Sequence, residues 1–275
     1  MTGRRAVALA AALALGACGQ APAPPVPDRP LRVVSLDYCA DQYVLELLPR
    51  ERIAAVSPDA AKPFSYKRRA AAGLRQVSPR AEDVLLLRPD LIVRSYGGGP
   101  EAARFFADAG IPVLQIGWAE DLAGVRARLI EVADGLGEGA RGRALAARFD
   151  ARLAAIGPAE ARPRAALYMT PGGVTTGPGT LIDAMFRAAG LANFEAAPGW
   201  RALPLERLAY RRPELVAHAS FGQGTTHIDA WSAARHPIAR AQLAERPVVA
   251  LDGAWTACGG WFLLDAVEAL GRAGA

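Results

Sequence analysis

Short apolar runs alternate with helical patterns in the first half of the chain. Four of the runs have the length and the β-branched content of buried strands, and amphipathic stretches separate or follow them. The predicted strands are 32–36, 53–57, 91–95 and 112–116, and the predicted helices lie near 40–48, 81–87, 100–109 and 121–136. This alternation predicts a parallel sheet with helices on both faces.

A second series of the same kind occupies the C-terminal part of the chain. Its predicted strands are 164–169, 214–218 and 247–251, and its predicted helices lie near 179–190, 204–211 and from about 260 onward. Because each series contains enough strands for a sheet of its own, the sequence predicts an α/β fold made of two lobes.

A single helix is predicted between the two series. Leu145, Phe149 and Leu153 recur there at helical spacing, and no proline occurs before Pro158. We expect a ligand cleft between the lobes and little lobe movement, because one helix is a stiff connection. The predicted boundaries are 31–137 for the first lobe, 138–157 for the linking helix and 158–275 for the second lobe.

An internal repeat is the most specific pattern in the sequence. Glu82–Val93 reads EDVLLLRPDLIV, and Glu206–Ala217 reads ERLAYRRPELVA. In each copy an acidic residue opens a short apolar helical run, and an Arg-Pro pair ends it because proline disfavours helix in the residue before it. A second acidic residue then leads into a strand. Two such corners indicate two lobes that are built alike.

The N-terminal segment predicts export. Arg4 and Arg5 precede an apolar segment at 6–15, which is too short to cross a hydrocarbon core of about 30 Å. We therefore predict a signal peptide over residues 1–17. The chain has a formal net charge of +5, but its arginines are scattered and form no long run, so nucleic acid is not an expected partner.

The residues around Cys18 resemble a lipobox. Leu-Gly-Ala precedes this cysteine, and such a motif predicts that Cys18 becomes the lipidated first residue of the mature protein. A plain signal peptide with an incidental cysteine is the alternative, and the sequence leaves it open. Residues 18–30 are rich in proline and predict an extended spacer between a membrane anchor and the first lobe.

Aromatic residues and glycines collect just after the predicted strands. In open parallel sheets, ligands bind beyond the carboxyl ends of the strands. Aromatic rings supply large apolar contact area, and glycine lets the backbone approach a bulky ligand. We expect polar selection from Asp37 and Thr170. The full set of expected ligand contacts is Asp37, Tyr38, Tyr96, Trp118, Tyr168, Thr170, Trp200 and Trp255.

Several of these features together resemble one family. The Arg32–Asp37 start, the paired corners, the linking helix and the loop of Trp255 are similar to the helical-backbone class of periplasmic substrate-binding proteins. That class serves ABC importers of ferric siderophores, heme and cobalamin. The similarity covers residues 31–272, and the doubled corner is its most specific element.

The resemblance implies a function in binding and transport. It implies a monomeric binding protein, not an enzyme, that needs no cofactor of its own. This protein would capture a metal chelate, a ferric siderophore or cobalamin, and deliver it to an ABC permease dimer in the inner membrane. It would be periplasmic or at the cell surface, lipid-anchored through Cys18. In the family one glutamate of each lobe docks into arginines of the permease, and Glu82 and Glu206 occupy the matching positions.

The remaining cysteine pair has three interpretations. Cys39 follows a strand of the first lobe and Cys258 follows a strand of the second, so both are expected to face the cleft. They could form a disulfide across it, which is the default expectation in an oxidising compartment. They could instead ligate a metal centre as free thiols, or each could pack as a small apolar residue.

Enzyme signatures are missing from the sequence. G-x-S-x-G, S-x-x-K, H-E-x-x-H and C-x-x-C do not occur. His218, His227 and His236 share one stretch without clustered carboxylates, so a bare metal ion is not an expected ligand. The alternative from another class is a surface enzyme or scaffold on the same fold, in which the Cys39 and Cys258 pair carries the activity.

Overall fold

The computed structural model describes residues 31–156, 162–220 and 232–274. The predicted signal peptide at 1–17, the lipidation site Cys18 and the spacer at 18–30 lie outside these residues. Within the three described ranges, none of the helices combines the length and the apolar character that crossing a membrane requires.

The first lobe is a parallel sheet with helices on both faces. Its strands run in the order β2-β1-β3-β4, and every pair is parallel. The strands are β1 Val33–Ser35, β2 Ile53–Ala55, β3 Leu91–Arg94 and β4 Val113–Gln115. The helices are α1 Tyr38–Leu47, α2 Ala81–Leu85, α3 Ala102–Asp108 and α4 Leu122–Gly135.

The side chains of each strand alternate between the two faces of the sheet, so the core of this lobe has two layers. Val33 packs on the side of α1 and α4, whereas Val34 packs with Val84 of α2 and Phe106 of α3. Successive side chains of a strand point to opposite faces, so a strand buried on both faces is apolar throughout. The continuous apolar runs read from the sequence are therefore explained by the two helical layers.

Helix α5, Gly139–Ala154, joins the lobes and packs against both. On one side Arg126 of α4 forms an ion pair with Asp150 at 2.8 Å. On the other, Arg152 reaches the C-terminal helix, where it pairs with Asp265 at 2.6 Å and with Glu268 at 2.7 Å. The linking helix thus lies within the predicted range and is fixed to each lobe by side-chain contacts.

The second lobe repeats the parallel architecture and adds a small antiparallel pair. Its main sheet has the order β10-β9-β5-β7, and β6 pairs with β8 in antiparallel fashion. The strands are β5 Ala165–Met169, β6 Val174–Thr176, β7 Ala192–Asn193, β8 Trp200–Ala202, β9 Leu215–Ser220 and β10 Val248–Asp252. The helices are α6 Leu181–Ala188, α7 Leu205–Tyr210, α8 Pro237–Glu245, α9 Gly253–Thr256 and α10 Leu263–Gly274.

The α/β fold class with two lobes is confirmed, and the departures from prediction are local. Strands β6, β7 and β8 and helices α8 and α9 were not predicted, because glycine or proline interrupts the apolar pattern near each of them. Most predicted elements are one or two residues longer than the observed ones, which is the usual uncertainty at element ends.

The internal repeat reappears as a repeated hydrogen-bond pair. In the first lobe the Asp90 carboxylate accepts from the backbone N–H of Arg32 at 2.8 Å, and the Asp90 N–H donates to the Arg32 carbonyl at 2.9 Å. In the second lobe Glu214 makes the same two bonds with Ala165, both at 2.8 Å. The second acidic residue of each copy therefore ties the repeat to the first strand of its lobe.

Candidate ligand-binding site

Helix α1 of the first lobe is attached to the loop at 257–259 of the second lobe. The Tyr38 hydroxyl donates to the carbonyl of Ala257 at 3.1 Å, and the Tyr43 hydroxyl donates to the carbonyl of Gly259 at 3.3 Å. Burial raises the pKa of both tyrosines, so both hydroxyls remain protonated donors. These two hydrogen bonds join the lobes through α1.

Cys39 of α1 and Cys258 of the loop at 257–259 form a disulfide between the same two segments. Their Cα atoms are 5.6 Å apart, within the range that a disulfide requires. Of the three arrangements considered for this pair, the structure contains the first. Across residues 31–156, 162–220 and 232–274, no group of three or more His, Cys, Asp or Glu residues is placed to hold a metal ion.

A second contact joins the lobes next to the linking helix. The Tyr66 hydroxyl donates to Asp265 of α10 at 2.8 Å, and its ring stacks on Phe262 with centroids 4.6 Å apart. Burial and the hydrogen bond to Asp265 raise the pKa of Tyr66 to about 12. Since Arg152 pairs with the same carboxylate, Asp265 connects both lobes with the linking helix.

A cavity of about 430 Å³ opens between the lobes beside the disulfide. Its size falls in the range of small-molecule sites. Trp118 and Trp200 lie in its wall with 77% and 57% of their surfaces exposed. The lining residues are Cys39, Tyr43, Ser95, Ile116, Gly117, Trp118, Ala119, Glu120, Gly179, Thr180, Leu181, Ile182, Gly199, Trp200, Thr256, Ala257, Cys258, Gly259 and Leu263.

The two exposed tryptophans come from different lobes. Trp118 follows β4 of the first lobe, and Trp200 begins β8 of the second, where it pairs with Thr176 of β6. The unpredicted antiparallel pair therefore positions one wall of the cavity. Both residues belong to the set expected from the sequence to contact a ligand, and the structure brings them to the same cavity.

Tyr168 lies beneath this wall instead of in it. Its side chain is only 1% exposed, and its ring meets the Trp200 ring edge-on with centroids 5.9 Å apart. This burial argues against the ligand contact expected for Tyr168. The residue occupies an inward-facing position of β5, so it supports Trp200 from below.

Asp37 is a buried organiser of the neighbouring loop. One carboxylate oxygen accepts the N–H of Ala40 at 2.9 Å and caps α1. The other accepts the N–H groups of Ser95, Tyr96 and Gly97 at 2.7, 3.0 and 2.9 Å. Four backbone donors already occupy the carboxylate, so Asp37 has a structural role, which argues against the direct ligand contact expected for it.

Arg94 and Gly97 hold the same loop from the other side. The buried guanidinium of Arg94 donates to the carbonyls of Gly97 and Gly99, each at 2.8 Å. A side chain at Gly97 would place its Cβ 2.4 Å from the carbonyl oxygen of Leu36, so glycine is required for this close approach. Sequence reasoning missed Arg94, although its position as the last residue of a buried strand was a usable signal.

Tyr38 and Tyr96 form an aromatic group at the edge of the cleft. Their ring centroids are 5.9 Å apart, and Tyr38 also meets Phe64 at 5.0 Å, both in edge-on geometry. Tyr96 is exposed, whereas the Tyr38 hydroxyl is occupied by Ala257. The loop held by Asp37 therefore exposes the Tyr96 ring, and Tyr38 packs against it, but neither ring lines the main cavity or the second pocket.

Thr170 and Trp255 lie apart from the main cavity. The Thr170 hydroxyl accepts the N–H of Val174 at 3.1 Å and closes the turn between β5 and β6. Trp255 lines a second pocket between the lobes, with a volume of about 440 Å³. The other lining residues of that pocket are Tyr66, Lys67, Arg68, Arg69, Ala70, Asp252 and Ala254.

The basic residues of the second pocket were not assigned from the sequence. They lie in the connection between β2 and α2, which has no apolar periodicity. Gln42 of α1 shapes this connection from beneath, because its amide donates to Ser65 at 3.0 Å and accepts the N–H of Lys67 at 2.7 Å. Two adjacent polar residues, Asp41 and Gln42, in a largely apolar helix were the available signal.

The histidines do not form a common site within the described residues. Burial lowers the pKa of His218 on β9, which keeps its ring neutral. His236 caps α8, since its ring nitrogen accepts the N–H of Ile238 at 3.2 Å. His227 lies outside the described residues. Cys39 is bonded to Cys258, so neither cysteine is a free thiol in this structure.

Glu82 and Glu206 occupy equivalent exposed positions of the two lobes. Each lies in the first turn of its helix, α2 or α7. Among the residues described by the structure, neither carboxylate has an ion-pair partner. The structure thus leaves both carboxylates accessible to a partner.

Comparison with known proteins identifies relatives over most of this architecture. The sequence model of the family described as periplasmic binding protein matches residues 33–229. A cobalamin-binding protein of Halobacterium salinarum is 32% identical over 173 residues, which are 61% of this chain and 47% of the relative. The chain therefore spans about half the length of the curated relatives it matches.

Solved structures share the two-lobed fold. The periplasmic heme-binding protein RhuT from Roseiflexus sp. RS-1, in apo form, has a TM-score of 0.70 at 23% identity over 90% of this chain and 100% of that chain. The periplasmic heme-binding protein BhuT, in complex with two hemes, has a TM-score of 0.65 at 28% identity over 89% of this chain and 99% of that chain. Since the family match covers well over half of the sequence, the chain belongs to the periplasmic binding protein family.

Proposed function

We propose that this protein is the substrate-binding component of an ABC importer and that it captures a macrocyclic metal chelate, a corrinoid or heme. The observation that carries the proposal is the cavity between the lobes, in which Trp118 and Trp200 present exposed rings from opposite sides. Two such rings supply apolar and stacking contacts to a large flat ligand. Relatives described as cobalamin-binding and heme-binding proteins support the same ligand class.

The cleft is held in a preformed state. The disulfide, the hydroxyls of Tyr38 and Tyr43 and the Tyr66 contact fix the lobes at several points. A preformed cleft lowers the ordering cost of binding, so affinity does not depend on a large closure. Binding and release therefore require no chemistry from the protein, and no cofactor of its own is part of the proposal.

Substituents of the chelate are proposed to reach the second pocket. There Arg68 and Arg69 lie beside Trp255. Guanidinium groups donate in a planar fork that suits carboxylate groups, and they stack on aromatic faces. This arrangement fits a ligand that carries polar side groups around an apolar ring. A ferric siderophore, which has no such extended ring, is the less favoured chelate.

Delivery is proposed to occur through Glu82 and Glu206. Both are exposed at helix starts, one on each lobe, and they match a partner that carries arginines on two symmetry-related subunits. The proposed location is periplasmic or cell-surface. The N-terminal pattern around Cys18 supports a lipid anchor on a proline-rich spacer.

Calorimetric titration tests the ligand assignment. The mature protein is titrated with cyanocobalamin, with hemin and with a ferric hydroxamate siderophore. We expect saturable binding of one macrocycle and none of the siderophore. Trp118→Ala combined with Trp200→Ala is expected to remove that binding, while Tyr210→Ala, an exposed aromatic outside the cleft, leaves it unchanged. Absence of binding by all three compounds would contradict the proposal.

A further inference from the structure

Two exposed apolar side chains occupy the same position of the internal repeat. Leu86 follows Glu82 by four residues, and Tyr210 follows Glu206 by four. Tyr210 is 90% exposed and Leu86 is 79% exposed, the two highest values among the large hydrophobic residues in the described part of the chain. A single exposed apolar residue is ordinary. Its recurrence at one repeat position in both lobes calls for a common cause.

Folding explains the buried positions of the repeat. Val84 packs in the core of the first lobe, and its counterpart Leu208 packs in the core of the second. The prolines and the first strand residues are also buried in both copies. Leu86 and Tyr210 contribute to neither core, so folding does not require an apolar residue at their position.

Each apolar side chain is the surface neighbour of a docking glutamate. Residues four apart lie on the same face of a helix. The N–H of Leu86 donates to the carbonyl of Glu82 at 3.2 Å, which shows that the helical turn continues to Leu86. Tyr210 and Glu206 lie in the same helix, α7. Each lobe therefore presents a carboxylate and an apolar group side by side.

We propose that Leu86 and Tyr210 are the apolar contacts of the surface through which this protein docks on its permease. The inference rests on the proposed function and extends it from charge pairing to apolar burial. A permease with two equivalent subunits offers the same surface twice, which matches a carboxylate and apolar pair repeated on two lobes. Interfaces of this kind gain most of their affinity from a few buried anchors, while charges guide orientation and association.

The test measures affinity for the permease directly. The cognate ABC permease is held in lipid nanodiscs, and binding of the full-length mature protein is followed by biolayer interferometry. We expect Leu86→Ala combined with Tyr210→Ala to weaken binding by about tenfold or more. Tyr210→Phe is expected to retain the affinity, because it keeps the ring. The loss is expected to persist at high salt, whereas the effect of Glu82→Ala with Glu206→Ala is expected to shrink as salt screens the charges.

Controls separate the possible failures. Phe105→Ala removes another exposed apolar side chain, 43% exposed and outside the repeat, and is expected to leave permease affinity unchanged. Melting temperatures of all variants check that they fold. If the glutamate variant binds weakly and the Leu86 and Tyr210 variant binds like the wild type, the inference is overturned and the proposed function stands. If the wild type does not bind the permease, the proposed function itself fails.

Discussion

The disulfide between Cys39 and Cys258 joins the first helix of one lobe to the loop before the last helix of the other. The two cysteines are 219 residues apart, so the bond closes almost the whole folded chain into a loop. Closing a long loop restricts the unfolded chain strongly, and loss of such a bond costs about 2–5 kcal/mol. We expect Cys39→Ser with Cys258→Ser to be less stable by that amount in urea denaturation.

Reductant provides the matched control for this prediction. With reductant, the wild type is expected to have the same urea midpoint as the double variant. The midpoint of the double variant is expected not to change with reductant. The intact mass without reductant should be lower by two hydrogen atoms. A wild-type midpoint that does not move on reduction would show that the bond contributes no stability.

Loss of the Asp37 charge is expected to loosen the loop at 95–97. Asn in its place cannot accept from all four N–H groups, and it turns an amide nitrogen toward backbone donors. Each buried donor left without a partner costs roughly 1–3 kcal/mol. Asp121→Asn is the control, because Asp121 is exposed and caps α4 through one bond to Gly124 at 2.7 Å. The prediction fails if both variants lose equal stability in urea.

Asp41 is expected to make stability depend on pH. Its buried carboxylate accepts the N–H of Ser57 at 3.0 Å and the Ser57 hydroxyl at 2.6 Å. Burial raises the pKa of Asp41 to about 7, although hydrogen bonds from Ser35 and Ser57 oppose the shift. The folded state therefore holds this proton more tightly than the unfolded chain. The resulting stabilisation is complete below about pH 4 and is lost as the pH rises through the folded pKa.

Asp41→Asn isolates that contribution. Asn keeps one acceptor for the Ser57 N–H and offers a donor to the hydroxyl, but it does not titrate. We expect the stability advantage of the wild type over the variant to fall between about pH 4 and pH 8, by ~1.4 kcal/mol per pH unit at most. Urea denaturation of both proteins across this range measures it. Parallel stability curves would show that Asp41 does not titrate in the folded state.

The sequence predicted the fold well because the strands are continuous apolar runs. Val33, Val34 and Ile92 lie between two helical layers, so their burial is visible without a structure. Arg-Pro marks both helix ends of the repeat for a local steric reason. The antiparallel β6 and β8 pair was missed, because its residues pair across a connection rich in glycine and proline.

Side-chain direction could not be predicted at the candidate site. Asp37 and Tyr168 both lie at the carboxyl end of a strand, yet both side chains point inward. The Asp37 carboxylate accepts hydrogen bonds from backbone N–H groups 58–60 residues further along the chain, and a local sequence pattern cannot predict such a contact. Trp118 and Trp200 both line the cavity, and their contact with a ligand stays a prediction.

The glutamate pair is expected to act after ligand binding. Glu82→Ala with Glu206→Ala removes two exposed carboxylates that line neither of the two pockets between the lobes, so affinity for the chelate is expected to be unchanged. Uptake of the chelate into proteoliposomes containing the permease is expected to be abolished. Glu101→Ala with Glu245→Ala removes one exposed carboxylate from each lobe outside the repeat and serves as control. Normal uptake by the first variant would refute the docking role.

Trp255 tests whether one ligand spans both pockets. Trp255 lines the second pocket with Arg68 and Arg69, and its chain neighbour Thr256 lines the main cavity with Trp200. If the chelate fills the main cavity and extends its substituents into the second pocket, Trp255→Ala weakens binding by about tenfold, less than Trp200→Ala does. Calorimetric titration with cyanocobalamin and hemin measures both variants. Wild-type affinity in Trp255→Ala would confine the ligand to the main cavity.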